Sequence, residues 1–454
     1  MTSVDDRARL LGRLARGGRL AARTALPVDT NPVPAEWTHV TKVDPEEAKK
    51  LPLLFPAYLQ HTDAVSVGGS ADVTASNTEE TFDLLAPTSV PVFHEPSGPR
   101  HVTQRTREQA DLLAIPEVLN GDSESLVGQL GAGTEYIREE LVPDLLDDEL
   151  PWLPDFAADP LADLATSWLL AEAVFEAYVI QNPDSAAARE ANVSEADLLT
   201  CGEAKQHAMA AERHLESELV YLEYSGTYGG EETVEILDSV SEALSWSRLW
   251  YGGGLDSREH VEAMLDAGAD AVVVGDAFHR VAEEEADLCG RAARELDGVV
   301  ASNVDLTSNA NATTDGDADE VREWVRETVT VGDSAAAAFL ATIPSVAEPE
   351  RLAKRYLTET LRAWLALREL SADSEDGKDG ESSGAPSASN VAYSALASEV
   401  TNALGDADTE LVGRCLRTLL VGDKNESGRF GAIDDDGHLE DAVANHLAVS
   451  LSPD

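Results

Sequence analysis

The chain is 454 residues long and 43% hydrophobic, with 85 acidic against 33 basic side chains and a formal charge of −52. Such a length holds two or three domains with ample core, and such a charge excludes nucleic-acid binding or broad adhesion to anionic lipid over most of the surface. The acidity reads as halophilic adaptation, because molar salt screens self-repulsion beyond about 3 Å, and it carries no information about function.

The first segment, residues 1–35, is the one strongly basic stretch. "RARLLGRLARGGRLAAR" holds Arg7, Arg9, Arg13, Arg16, Arg19 and Arg23, with Leu10, Leu11, Leu14 and Leu20 near one side of a helix. Two readings stand: a basic amphipathic helix making peripheral contact with a membrane, or a disordered tail resting on the acidic body. Gly12, Gly17 and Gly18 each cost a helix roughly 1 kcal/mol relative to alanine.

Residues 36–300 alternate between short apolar runs and helical patterns. Buried parallel strands are expected at 39–44, 64–69, 90–95, 112–116, 177–183, 219–226, 248–254 and 271–276. Eight βα units in about 250 residues predict an α/β TIM (β/α)8 barrel. The third helix is reduced, because Pro96 and Pro99 crowd the gap after "VPVFHE". The gap from 120 to 176 is long, with helical "EYIREEL" and "ADLATSWLLAEAVFEA" around a loop carrying Pro151, Pro154 and Pro160. A polar linker follows over 301–335, and 336–454 is a mainly helical extension interrupted at 371–390, too polar to fold. The three cysteines, Cys201, Cys289 and Cys415, show neither metal nor disulfide spacing. A reducing cytoplasm is the expected setting, with no secretory signal and no run approaching the ~18 apolar residues that span a bilayer.

Barrel chemistry sits on loops at the carboxyl ends of the strands. There, Gly252, Gly253 and Gly254 follow the seventh strand and Gly275 follows the eighth, so backbone can approach a ligand without a Cβ in the way. Asp256 is expected to cap the next helix with Glu259 as its box partner, and Val261, Met264 and Leu265 form its apolar face. Paired glycine turns at this place form a phosphate site; the alternative is tight turns with no ligand. Glu223 stands between Leu222 and Tyr224 on an apolar strand, where a buried carboxylate is costly unless its surroundings are polar. Asp44 before Pro45 and Lys42 read equally as a turn cap and a solvated strand end. His39 and Trp37 read as packing residues at the barrel entrance.

In chain order, "EWTHVTKVDP", "TDAVSVGGS", "QNPDSAA", "VYLEYSG", "LWYGGG" and "ADAVVVGD" resemble the geranylgeranylglyceryl phosphate synthase family, which includes heptaprenylglyceryl phosphate synthases. The likeness runs over about residues 36–290. It implies a prenyltransferase that joins sn-glycerol 1-phosphate to a long-chain prenyl diphosphate with Mg²⁺, and a homodimer. By motif position, Lys42 contacts the glycerol phosphate, while Asp44 and Ser70 bind Mg²⁺. Tyr221, Leu222, Glu223, Tyr224, Ser225 and Gly226 line the glycerol phosphate site, Glu223 takes the hydroxyl proton, and Gly254, Gly275 and Asp276 complete the cradle. Asp276 stands where many relatives have asparagine, and the 121–172 region departs most from the pattern. Two other readings are a different phosphate-binding barrel enzyme, such as a sugar-phosphate isomerase, and a catalytically silent glycerol-phosphate or prenyl-lipid binder with a regulatory C-terminal region.

Overall fold

The computed structural model describes residues 29–46, 50–69, 73–86, 88–149, 155–295, 334–358 and 360–361, with 324, 327 and 328. The basic segment up to residue 28, Ser70, Pro151 and Pro154, most of the linker and everything beyond 361, including 371–390 and Cys415, lie outside them.

Eight parallel strands form one sheet: β1 (His39–Val43), β2 (Ala64–Val67), β3 (Val92–His94), β4 (Ala114–Val118), β5 (Val174–Ile180), β6 (Leu219–Tyr224), β7 (Arg248–Gly253) and β8 (Ala271–Val274). Their order, β3-β2-β1-β8-β7-β6-β5-β4, with a helix-bearing connection between successive strands, is that of a TIM (β/α)8 barrel. Where β3 ends the order, its backbone bonds the chain leading into β4: Asp111 N donates to Val92 O at 2.8 Å and His94 N to Leu112 O at 2.9 Å. Every expected strand is present. The runs are nearly unbroken in apolar residues because both faces are covered.

The chain divides into two compact units. One comprises residues up to 38, 113–253 and 263–272; the other comprises 39–112, 254–262 and the residues from 273 onward.

In the first unit, β5, β6 and β7 pair in register, with Tyr178 opposite Tyr221 and Tyr221 opposite Trp250. The Tyr178 and Tyr221 rings stack at 4.5 Å. Strand alternation therefore puts Tyr178, Tyr221, Glu223, Trp250 and Gly252 on one face and Leu222, Tyr224 and Tyr251 on the other. One boundary differs from expectation. The helix Asp155–Glu172 ends before "VFEA", and β5 starts at Val174. A β-branched and an aromatic residue favour the strand, and Val174 N bonds Leu113 O at 2.8 Å. Pro160 lies inside that helix, not in a loop. "EYIREEL" is helical, part of a run over 124–149 that includes two π-type turns.

In the second unit, β1 to β3 pair with Lys42 opposite Ser66 and Ser66 opposite Phe93. The third helix is short, Gln104–Gln109, closed by a Thr103–Thr106 capping box. Helix Asp276–Glu295 begins directly after β8. Helix Ala335–Thr342 and the helical residues 349–358 pack in the same unit, burying Phe339, Leu340, Ile343, Tyr356 and Leu357. His39 is a packing residue, fully buried and bonded to Thr62 Oγ1 at 2.8 Å and Thr342 Oγ1 at 3.1 Å. Burial lowers its ring to about 4, so it is neutral. It stands at the amino end of β1, the opposite end from the catalytic rim of a barrel. In the first unit, Trp37, also buried, lies tilted against Trp250 at 6.2 Å.

Candidate active site

Among the described candidates, Lys42, Asp44, Glu223, Ser225, Gly226, Gly254, Gly275 and Asp276 sit at or just past the carboxyl ends of their own strands, whereas Tyr221 stands mid-strand. In the second unit, Lys42 and Asp44 are brought by β1. The Lys42 ammonium lies 2.6 Å from the Glu95 carboxylate, whose other oxygen accepts from Ser66 Oγ at 2.8 Å. Glu95 follows β3 and is only 6% exposed, so three strands deliver one charged cluster. Sequence reasoning did not single out Glu95, although an acid closing the apolar run "VPVFHE" was its visible signal. Gly68 is required here: a Cβ would come within 2.5 Å of the Glu95 carbonyl oxygen.

Asp44 lies past the end of β1, and a Cβ on Gly69 would come within 3.0 Å of Asp44 Oδ1. The Asp44 side chain remains 30% exposed, and its Oδ2 is 3.7 Å from His279 Nδ1. Partial burial raises its carboxyl above the usual range, while His279 and Lys42 pull it down. His279 was missed by sequence reasoning; the fourth position after Gly275 has no distinguishing pattern. Its Nε2 is buried without a hydrogen-bond partner, held there as Phe278 and His279 turn over the Gly275 carbonyl. Gly275 borders Lys42, with a Cβ there 3.5 Å from Lys42 Cβ. Asp276 is exposed and opens the helix Asp276–Glu295, where an acid complements the helix dipole.

The helix Arg258–Asp266 follows the Gly254 turn. Its cap is one residue later than expected: Ser257 Oγ accepts from His260 N at 3.3 Å, while Asp256 pairs with His260 at 3.2 Å. Val261 and Met264 are fully buried as its apolar face, and Leu265 is half-buried.

In the first unit, Glu223 is 2% exposed and its Oε1 accepts from Ser225 N at 3.0 Å. Gly226 turns the chain with φ +80°, and Asn182 Nδ2 holds the turn through Ser225 O at 2.6 Å. Tyr221 shares the face of Glu223, whereas Leu222 and Tyr224 point the other way, Tyr224 toward Gly229 and Tyr251. Of these two, only the backbone faces the same turn as Glu223. Gly252 and Gly253 have packing reasons for lacking a side chain, since a Cβ on Gly252 would strike the Tyr221 hydroxyl and one on Gly253 would come 2.9 Å from Thr227 O. The glycine turns thus divide: Gly252 and Gly253 answer to the protein's own packing, whereas a Cβ on Gly275 would meet only ordinary contact with Lys42.

The PcrB family profile matches residues 34–292. The geranylgeranylglyceryl phosphate synthase of Haloquadratum walsbyi is 32% identical over 247 residues, 54% of this chain and 88% of that protein. The enzyme of the same name from Halobacterium salinarum is 32% identical over 250 residues, 54% of this chain and 89% of that one. Among solved structures, (S)-3-O-geranylgeranylglyceryl phosphate synthase from Thermoplasma acidophilum, in complex with its substrate sn-glycerol-1-phosphate, superposes with TM-score 0.39. It is 23% identical, covering 54% of this chain and 87% of that one.

Proposed function

This chain belongs to the PcrB family, and from that membership we propose that it is a prenyltransferase. It joins a long isoprenoid, taken from its diphosphate, to the free hydroxyl of sn-glycerol 1-phosphate. The observation that carries the reading is that the Gly275 turn lies against strand-end Lys42, whose Cβ is 3.5 Å from where a Cβ on Gly275 would stand. This supports a phosphate cradle of backbone N–H groups with one compact positive charge.

In this reaction the glycerol oxygen bonds the allylic carbon as the bond from that carbon to the diphosphate breaks. The electron pair leaves with the diphosphate and the hydroxyl proton passes to Glu223. Glu223 suits that task because the Ser225 N–H fixes one oxygen and strand alternation turns it to the face of Tyr221. In the second unit Lys42 and Gly275 hold the phosphate end with backbone N–H groups of Gly254 and Asp276; in the first unit the backbone of Ser225 and Gly226 is assigned to glycerol phosphate by motif position.

The donor set also fits Mg²⁺. Among the described residues no cluster of three acids, histidines or cysteines could hold a metal alone. Asp44, however, offers a partly exposed carboxylate, and Mg²⁺ completes its shell with waters and phosphate oxygens. Asp44 and Ser70 would hold it. When bound, the ion neutralises charge on the leaving diphosphate.

The test incubates purified protein in molar KCl with labelled sn-glycerol 1-phosphate, Mg²⁺ and a series of long-chain prenyl diphosphates. An ether-linked product supports the proposal, and its absence with every donor overturns it.

A further inference from the structure

Residues 334–361 lie beyond the family-matched region, yet they are built into the unit that carries Lys42, Asp44 and Gly275. Helix Ala335–Thr342 is capped by Ser334, and Glu284 of helix Asp276–Glu295 accepts from Ser334 Oγ at 3.0 Å and Ala336 N at 2.8 Å. The Phe339 ring packs on Phe278 at 4.9 Å, with Tyr58 and His39 at its edges. Beyond the helix, the Arg258 guanidinium donates to the carbonyls of Ile343 and Pro344 at 3.2 Å and of Val346 at 2.6 Å. One short segment therefore holds the residue four positions after Gly254 and the residue three positions after Gly275.

The placement of Arg258 needs a reason. It opens the helix Arg258–Asp266, where the helix dipole disfavours a cation, in a chain that spends few residues on positive charge. The carbonyls it meets stand just past the end of Ala335–Thr342, where the helix dipole favours a cation; Ile343 O also accepts from Val346 N at 3.1 Å. Three acceptors occupy the planar fork of the guanidinium, which lysine's single ammonium cannot match in geometry. The arginine is thus placed for the C-terminal segment and against its own helix.

We propose that residues 334–361 brace the two glycine turns of the anion site, and that Arg258 is a positioning residue for glycerol phosphate binding through this brace. The ligand's identity rests on the function proposed above; the brace itself does not. In the full-length protein, Arg258→Ala should speed amide hydrogen exchange over residues 252–257 and 343–346 by about five- to tenfold, leaving β2 (Ala64–Val67) unchanged. The same variant should raise the KM for sn-glycerol 1-phosphate about five- to tenfold with kcat within about twofold, the size of an ordinary coupling between two sites. Arg258→Lys should fall between. Should Arg258→Ala not fold, Arg258→Lys alone decides through the same exchange readout. Unchanged exchange over 252–257, or a uniform rise that includes β2, overturns the brace. If the wild-type protein neither turns over nor binds glycerol phosphate, the proposed function fails, and the exchange comparison still decides the brace.

Discussion

Glu223 and Glu95 are both carboxylates borne by apolar strands, and in the proposed reaction their partners suit them to opposite tasks. Glu223 Oε1 accepts a backbone N–H from Ser225, a contact that fixes the orientation of the carboxylate. Glu223→Gln should therefore lower kcat by about 10²- to 10⁴-fold with glycerol phosphate affinity little changed, measured by steady-state kinetics beside calorimetry. Equal losses in both would make Glu223 a binding residue. Glu95 instead engages the Lys42 ammonium and competes with any anion that ammonium is meant to hold. Glu95→Gln should tighten inorganic phosphate binding several-fold, measured by calorimetry at fixed KCl. Weaker binding would mean that Glu95 orients Lys42 and does not compete for it. Glu223 was legible because an acid inside an apolar strand is costly. Glu95 was not, because a strand-final acid looks solvated until β1, β2 and β3 are set in register and Lys42 and Ser66 arrive beside it. A sequence shows the residue and hides the register.

At the scale of elements, all eight strands could be read as apolar runs because both their faces are covered. What periodicity could not show was which short apolar run continues a helix and which opens a strand, hence the reassignment of "VFEA". Nor could it show that Ala335–Thr342 packs on helix Asp276–Glu295, since an apolar face carries no address. On helix Asp276–Glu295, Glu285 is completely buried, accepting from Leu53 N at 2.6 Å and Thr360 Oγ1 at 2.8 Å. Burial pushes its carboxyl from 4.5 up to about 7, although both those hydrogen bonds oppose the rise. The folded chain holds this proton more tightly than the unfolded chain, so its stabilising contribution is complete below about 4.5. It is lost as pH rises toward about 7, with no further loss above. Glu285→Gln should remove that dependence, making the variant about 1–3 kcal/mol more stable than wild type at pH 8 and no more stable near pH 4.5. Denaturant unfolding at the two pH values in constant KCl checks this; parallel wild-type and variant pH profiles would count against the buried proton.

For the molecule as a whole, charge is distributed unevenly. Six arginines stand within the first 23 residues of a chain with 33 basic and 85 acidic side chains, and no described helix is long and apolar enough to cross a membrane. A prenyl donor partitions into lipid, so a basic leading segment offers a reversible way to reach it. Deleting residues 1–30 should reduce flotation with anionic liposomes while sparing activity on detergent-dispersed donor. Undiminished flotation would assign that segment to the acidic body instead. The segment past residue 292 has a different kind of consequence. Phe278, Val281 and Ala282 are sealed from water in a unit that also contains Phe339, Leu340 and Tyr356, so a fragment trimmed to the stretch shared with its relatives would begin life with an oily flank. The family match and the packed unit end at different points along this polypeptide, and the stretch past residue 292 helps the matched stretch stand.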